Sequence, residues 1–227
     1  METIAERLKS VQITIEQSTL DAHRPLNSVK LLAVSKTKPV SDIVQAYEAG
    51  QRLFGENYVQ EGVEKIQMLQ SLDDIEWYFI GPLQSNKTRL VAENFDWVQS
   101  VDRLKIAKRL NDQIIPHKTL NVCIQVNIDD DENKAGVGVN ELHDFAKAIS
   151  ELPNLRLRGL MTIPKANQSQ TKQTASFNHM AALFENLKKQ YSSVDTLSMG
   201  MSGDMQNAIN NGSTMVRVGS AIFGLRN

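Results

Sequence analysis

The 227-residue sequence contains a single cysteine, Cys123. One thiol closes no intrachain disulfide and supplies no thiolate set for a structural zinc site. Neither sign of charge is in excess: 25 Lys and Arg face 26 Asp and Glu, a formal net charge of −1 with histidines neutral. That balance excludes the basic footprint of counterion-driven nucleic-acid binding. No window approaches the roughly 20 consecutive apolar residues of a membrane-spanning helix. The N-terminal METIAERLKSVQ alternates charged and apolar residues, unlike the continuous apolar stretch of a signal peptide. These absences lead to the expectation of a soluble, cytoplasmic protein with no nucleic-acid or membrane partner.

Hydrophobic residues make up 41% of the chain, enough to build a globular core. β-rich runs fall at Val29–Ser35, Arg52–Phe54, Trp77–Ile80, Trp97–Val101, Asn121–Asn127, Leu155–Met161, Thr196–Met199 and Met215–Ala221. Several are continuously apolar, as strands buried on both faces of a parallel sheet are. Helical spacing fills the gaps. Ile4, Leu8, Val11 and Ile15 share one face ahead of the first strand, as do Leu142, Phe145, Ala146 and Ile149 later. Phe177, Met180, Ala181, Phe184, Leu187 and Tyr191 form a longer face. Pro39 followed by Ser41, and Gly50 at the close, frame a predicted helix Asp42–Ala49, and Pro164–Gln173 is predicted to be an exposed loop. Strands alternating with helices predict an α/β fold, a (β/α)8 TIM barrel with an extra N-terminal helix, as a single domain over residues 1–227. A doubly wound open sheet is the alternative, because periodicity does not report closure.

In a barrel, chemistry collects at the C-terminal ends of the strands. The first run ends in Ala33-Val34-Ser35-Lys36-Thr37-Lys38. A partly desolvated lysine at Lys36 has the chemistry to form a Schiff base with an aldehyde, against the alternative of an ordinary surface lysine; Lys38 is expected to face solvent. The second run leads into Gly55-Glu56-Asn57, where Asn57 offers both a donor and an acceptor. The third leads into Gly81-Pro82-Leu83-Gln84-Ser85-Asn86-Lys87-Thr88, which fails as a P-loop because Asn86 replaces a glycine and Pro82 lacks an N–H; it is expected to cap the next helix. Ser198-Met199-Gly200-Met201-Ser202-Gly203-Asp204 and Arg217-Val218-Gly219-Ser220 supply small residues, hydroxyls and amides after the seventh and eighth strands, where TIM barrels recurrently hold phosphate. The competing reading is a Gly/Met turn beside a core-edge arginine.

Other features carry less. His23, His117, His143 and His179 show no motif spacing, and Cys123 lies inside an apolar run as an inert thiol. Asp129–Glu132 departs from an EF-hand at Lys134 and Asn140 and is expected to be a solvated loop. Sequons at Asn86, Asn167 and Asn211 have no meaning without secretion.

A lysine on strand one and a phosphate cup after strands seven and eight suit an aldehyde that bears a phosphate, such as pyridoxal 5′-phosphate. The segments AVSKTKP (33–39), FGENYVQE (54–61), WYFIGPLQSNK (77–87), LRGLMTIP (157–164), LSMGMSGD (197–204) and VRVGSAIFG (216–224) occur in order across nearly the whole chain. Together they resemble the pyridoxal phosphate homeostasis protein family, itself similar to the barrel domain of alanine racemase. The resemblance implies that Lys36 holds the cofactor as a lysine aldimine. It further implies that Ser202, Gly219 and Ser220 bind the phosphate and Arg217 faces the pyridine nitrogen, with Asn57, Met199 and Gly200 around the ring. Many relatives carry histidine where this chain has Pro82, so that side chain's role does not transfer. Only Leu225-Arg226-Asn227 follow Gly224, so no length is expected for the second domain that supplies a racemase with its opposing base. The expectation is a non-enzymatic cofactor-binding protein, monomeric, that influences the supply of pyridoxal phosphate to apoenzymes. The alternatives are a small pyridoxal-phosphate-dependent racemase-like enzyme and a barrel with a general phosphate site. Lys38 and Lys134 stand as possible second attachment points.

Overall fold

The computed structural model describes residues 2–165 and 168–224. Eight strands run β1 Lys30–Val34, β2 Leu53–Glu56, β3 Glu76–Phe79, β4 Trp97–Val101, β5 Leu120–Gln125, β6 Leu155–Met161, β7 Thr196–Met201 and β8 Met215–Val218. They pair in sequence order, all parallel, and β8 returns to β1 with Lys30 opposite Met215 and Ala33 opposite Val218. The sheet therefore closes into a barrel, and the open-sheet alternative falls.

Two apolar layers explain the continuously apolar strands. Phe54, Trp77, Phe79, Val98 and Leu197 point outward into the core shared with the helices. Their neighbours in sequence point inward, where Leu32, Tyr78, Trp97, Cys123, Met161 and Met215 form a separate cluster. The rings of Tyr78 and Trp97 stack at 4.9 Å inside the barrel, and both donate to Glu76 Oε2 at 2.9 and 3.1 Å. These side chains fill the lower barrel.

The helices are α1 Ile4–Asp21, α2 Val40–Glu48, α3 Val59–Met68, α4 Thr88–Asn94, α5 Leu104–Gln113, α6 Leu142–Ser150, α7 Gln170–Gln190, α8 Met205–Asn210 and α9 Ser220–Phe223. The extra N-terminal helix is present. A Thr3/Glu6 capping box starts α1, and Ile4, Leu8, Val11 and Ile15 are its buried face. Arg7 Nε ties it to the Ile222 carbonyl at 2.6 Å, and Arg24 reaches the carbonyls of Ile209 and Ser213.

Several boundaries differ from expectation. Helix α2 begins at Val40 after an extended Pro39, not at Asp42 after Ser41; the fixed φ of proline suits the entry to a helix. Gln170–Gln173 belong to α7, capped by Ser169, rather than to a loop; Ala166 and Asn167, the asparagine of the second sequon, lie outside the described residues. Ser85–Lys87 form a 3₁₀ turn into α4, and no side chain caps that helix. The acidic run after β5 is tied down rather than merely solvated: Asp129 accepts from the Lys165 amide and the Ser176 hydroxyl, both at 2.5 Å. Among the described residues no His/Cys/Asp/Glu cluster is arranged for a metal, and no helix is long and apolar enough to cross a membrane.

Candidate functional site

A cavity of about 680 Å³ opens at the C-terminal ends of the strands, within the usual range for small-molecule sites. Lys36, Asn57, Ser202, Arg217, Gly219 and Ser220 all line it, brought together from β1, β2, β7 and β8. Val34, Ile80, Ile163 and Met201 add apolar wall, and Lys38, Gly203 and Gly224 complete it. Three lining side chains are basic and, among the described residues, none is acidic. An anionic ligand is therefore favoured.

Lys38 does not simply face solvent: it shares the cavity with Lys36. Met199 and Gly200 fall outside the lining. Met199 is fully buried in the outer core, and a Cβ on Gly200 would stand 2.5 Å from that of Ala208 on α8. A register shift between Ser198 and Met201 interrupts the alternation of β7, and the exposed Met201 reaches the mouth instead.

Arg217 sits at the floor of the cavity, 4% exposed. It donates to Ser198 Oγ at 2.8 Å and to the Thr162 carbonyl at 2.9 Å. Burial lowers its pKa to about 10, with Asp204 opposing, so the guanidinium remains a cation at neutral pH. Asn57 is held by a close approach of two strand ends: a Cβ at Gly81 would fall on the Asn57 carbonyl, and Ser100 Oγ holds the Gly81 carbonyl at 2.6 Å. Its side-chain oxygen is buried with no hydrogen-bond partner. A buried, unpartnered acceptor costs roughly 1–3 kcal/mol, and a donor on a bound ligand would satisfy it.

A charged cluster that sequence reasoning missed underlies Lys36. Lys65 Nζ, on α3, donates to Glu56 Oε1 at 2.7 Å, Glu61 Oε1 at 2.6 Å and the Ser35 carbonyl at 2.7 Å. Ser35 Oγ also donates to Glu56 Oε1 at 2.7 Å. Burial pushes the Glu56 carboxyl up, against the pull of Lys65 and Ser35. The i,i+4 spacing of Glu61 and Lys65 was the available signal. It marks exposed pairs equally well, and only tertiary structure shows that Lys65 is buried.

Residues 15–227 match the family described as the N-terminal domain of alanine racemase. A curated relative, the pyridoxal phosphate homeostasis protein of Pasteurella multocida, is 58% identical over 99% of this chain and 98% of its own length. PipY of Synechococcus elongatus, solved with PLP bound, superposes with a TM-score of 0.84 at 37% identity, covering 98% of this chain and 100% of that one. An alanine racemase from Corynebacterium glutamicum shares the fold, with a TM-score of 0.70 at 17% identity over 96% of this chain and 61% of its own. The chain belongs to the pyridoxal phosphate homeostasis protein family, built on the barrel of the alanine racemase N-terminal domain.

Proposed function

We propose that this chain binds pyridoxal phosphate in the cavity above the barrel, attached through Lys36, and serves cofactor homeostasis without turning over a substrate. The observation that carries this reading is the convergence of Lys36 with the Ser202 and Gly219-Ser220 turns on one cavity whose described lining holds three basic side chains and no acidic one. The structure of PipY with PLP bound supports the ligand. The unpartnered Asn57 oxygen and the open space beside Gly203 fit a group larger than phosphate.

Bound there, the cofactor supplies an aldehyde that condenses with a primary amine, releasing water. Lys36 provides the amine. Ser202, Gly219 and Ser220 bind the phosphate, and Asn57 borders the ring. Met199 and Gly200, which the resemblance sets against the ring, lie outside the cavity lining and shape the end of β7 behind it. Arg217 faces the ring nitrogen, where a guanidinium disfavours protonation and withholds the electron sink of carbanion chemistry. Racemisation needs proton transfer on both faces of a carbon, and among the described lining residues none is a tyrosine, histidine or carboxylate. We place the protein in the cytoplasm as a monomeric single-domain barrel, with apo-forms of pyridoxal-phosphate enzymes as its recipients.

The test is a visible absorbance titration with pyridoxal phosphate, run beside Lys36→Ala. A new band that the variant abolishes supports the reading, and no band in wild type overturns attachment. Deuterium exchange at Cα across a panel of amino acids addresses turnover: exchange that needs Lys36 overturns the non-enzymatic reading.

A further inference from the structure

The backbone is fastened on both sides of Lys36. On the N-terminal side, Ser35 is fully buried, its carbonyl bound by Lys65 Nζ and its hydroxyl by Glu56. On the C-terminal side, the Thr37 amide donates to Glu61 Oε1 at 2.6 Å. Thr37 has φ +62°, a left-handed conformation that a β-branched residue adopts only when its surroundings impose it. Both fastenings meet at one ammonium, because Lys65 bridges Glu56 and Glu61.

An ammonium group has three N–H donors. Those of Lys65 serve the Ser35 carbonyl, Glu56 and Glu61, and its side chain is 6% exposed. Lys65 is therefore committed to the scaffold, whereas Lys36 lines the cavity. We propose that Lys65, with Glu56 and Glu61, is a positioning residue for Lys36: the cluster fixes the backbone on either side of it and so aims its amine at an aldehyde held in the cavity. The cluster touches no ligand. Its effect falls on the orientation of Lys36, not on the Ser202 and Ser220 turns across the cavity. Misplacing a reacting group by about 1 Å is enough to cost up to about a hundredfold in effective reactivity.

The proposal rests on Lys36 being the attachment point, so the test separates the two. Dissociation constants are measured for pyridoxal phosphate and for pyridoxine 5′-phosphate, which has the same phosphate but no aldehyde. The proteins are wild type, Lys36→Ala, Glu61→Ala, Glu61→Gln and Lys65→Met. Glu61→Ala and Lys65→Met are expected to weaken pyridoxal phosphate about tenfold or more, leaving pyridoxine 5′-phosphate within about twofold of wild type. Glu61→Gln keeps an acceptor for the Thr37 amide and is expected to recover most of the loss. Equal weakening of both ligands in Glu61→Ala would mean a merely structural cluster and overturn the proposal, as would unchanged affinity for pyridoxal phosphate. Should Lys65→Met fail to fold, Glu61→Ala still decides, since Glu61 lies on the exposed side of the cluster. Wild-type affinity in Lys36→Ala would instead overturn the attachment reading itself.

Discussion

Arg217 Nη1 donates to Ser198 Oγ at 2.8 Å, and that hydroxyl donates onward to Gln99 Oε1 at 2.7 Å. One serine thus joins the cation at the floor of the cavity to a polar layer inside the barrel, which ends where Gln99 Nε2 meets Met215 Sδ at 3.0 Å. Ser198→Ala strands a guanidinium N–H and a carboxamide oxygen, both buried. A loss of about 2–3 kcal/mol is expected, visible as a lower urea midpoint at unchanged slope. A midpoint equal to wild type would show that the layer rearranges around the missing hydroxyl.

Two glycines three residues apart, Gly200 at the end of β7 and Gly203 in the turn to α8, differ in what they tolerate. Gly200 has φ +97° and faces the Ala208 methyl, whereas a Cβ on Gly203 meets nothing within 4 Å. Gly200→Ala is expected to cost roughly 1–3 kcal/mol through strain and crowding. Gly203→Ala is expected to stay within about 0.5 kcal/mol of wild type. Thermal unfolding of the pair checks this, and equal midpoints would contradict it.

Acid stability has a component from the pairing of Asp195 with Arg158. Burial raises the Asp195 carboxyl, but Arg158 and Thr196 more than offset it, leaving the group below its ordinary 3.8. A carboxylate with a depressed folded-state pKa stabilises above 3.8, and the contribution is lost as pH falls through the lower folded value. Asp195 is half exposed, so the contribution is at most about 1 kcal/mol. Asp195→Asn is expected to flatten the fall in stability below pH 4 relative to wild type. A steeper fall in the variant would reverse the sign.

Cys123 is fully buried within the barrel, and burial pushes its thiol well above the usual range. The thiolate is the reactive form. A disulfide reagent is expected to titrate no thiol in the native protein and one after denaturation. Reaction at native pH on the timescale of an exposed thiol would contradict that placement.

The strands were legible because burial on both faces writes itself into the sequence; β4 and β6 match their predicted limits at both ends. Lys36, Asn57, Ser202, Arg217, Gly219 and Ser220 were legible as lining residues because strand ends are punctuated by Gly, Ser and Asn. Met199 was not distinguishable from Met201, since the register shift in β7 that selects between them is a tertiary feature. Lys38 and Lys65 show the same limit from opposite directions. One resembles a solvent-facing lysine yet lines the cavity, and the other resembles half of a helical surface pair yet is buried. Charge pattern along a helix or loop reports spacing, and burial depends on what packs against it.

The most direct test of attachment at Lys36 is reduction of the protein with borohydride in the presence of pyridoxal phosphate, followed by peptide mapping. The expected product carries one pyridoxyl group, on Lys36. A pyridoxyl group on Lys38 or Lys134 with Lys36 unmodified, or no modified lysine at all, would contradict it.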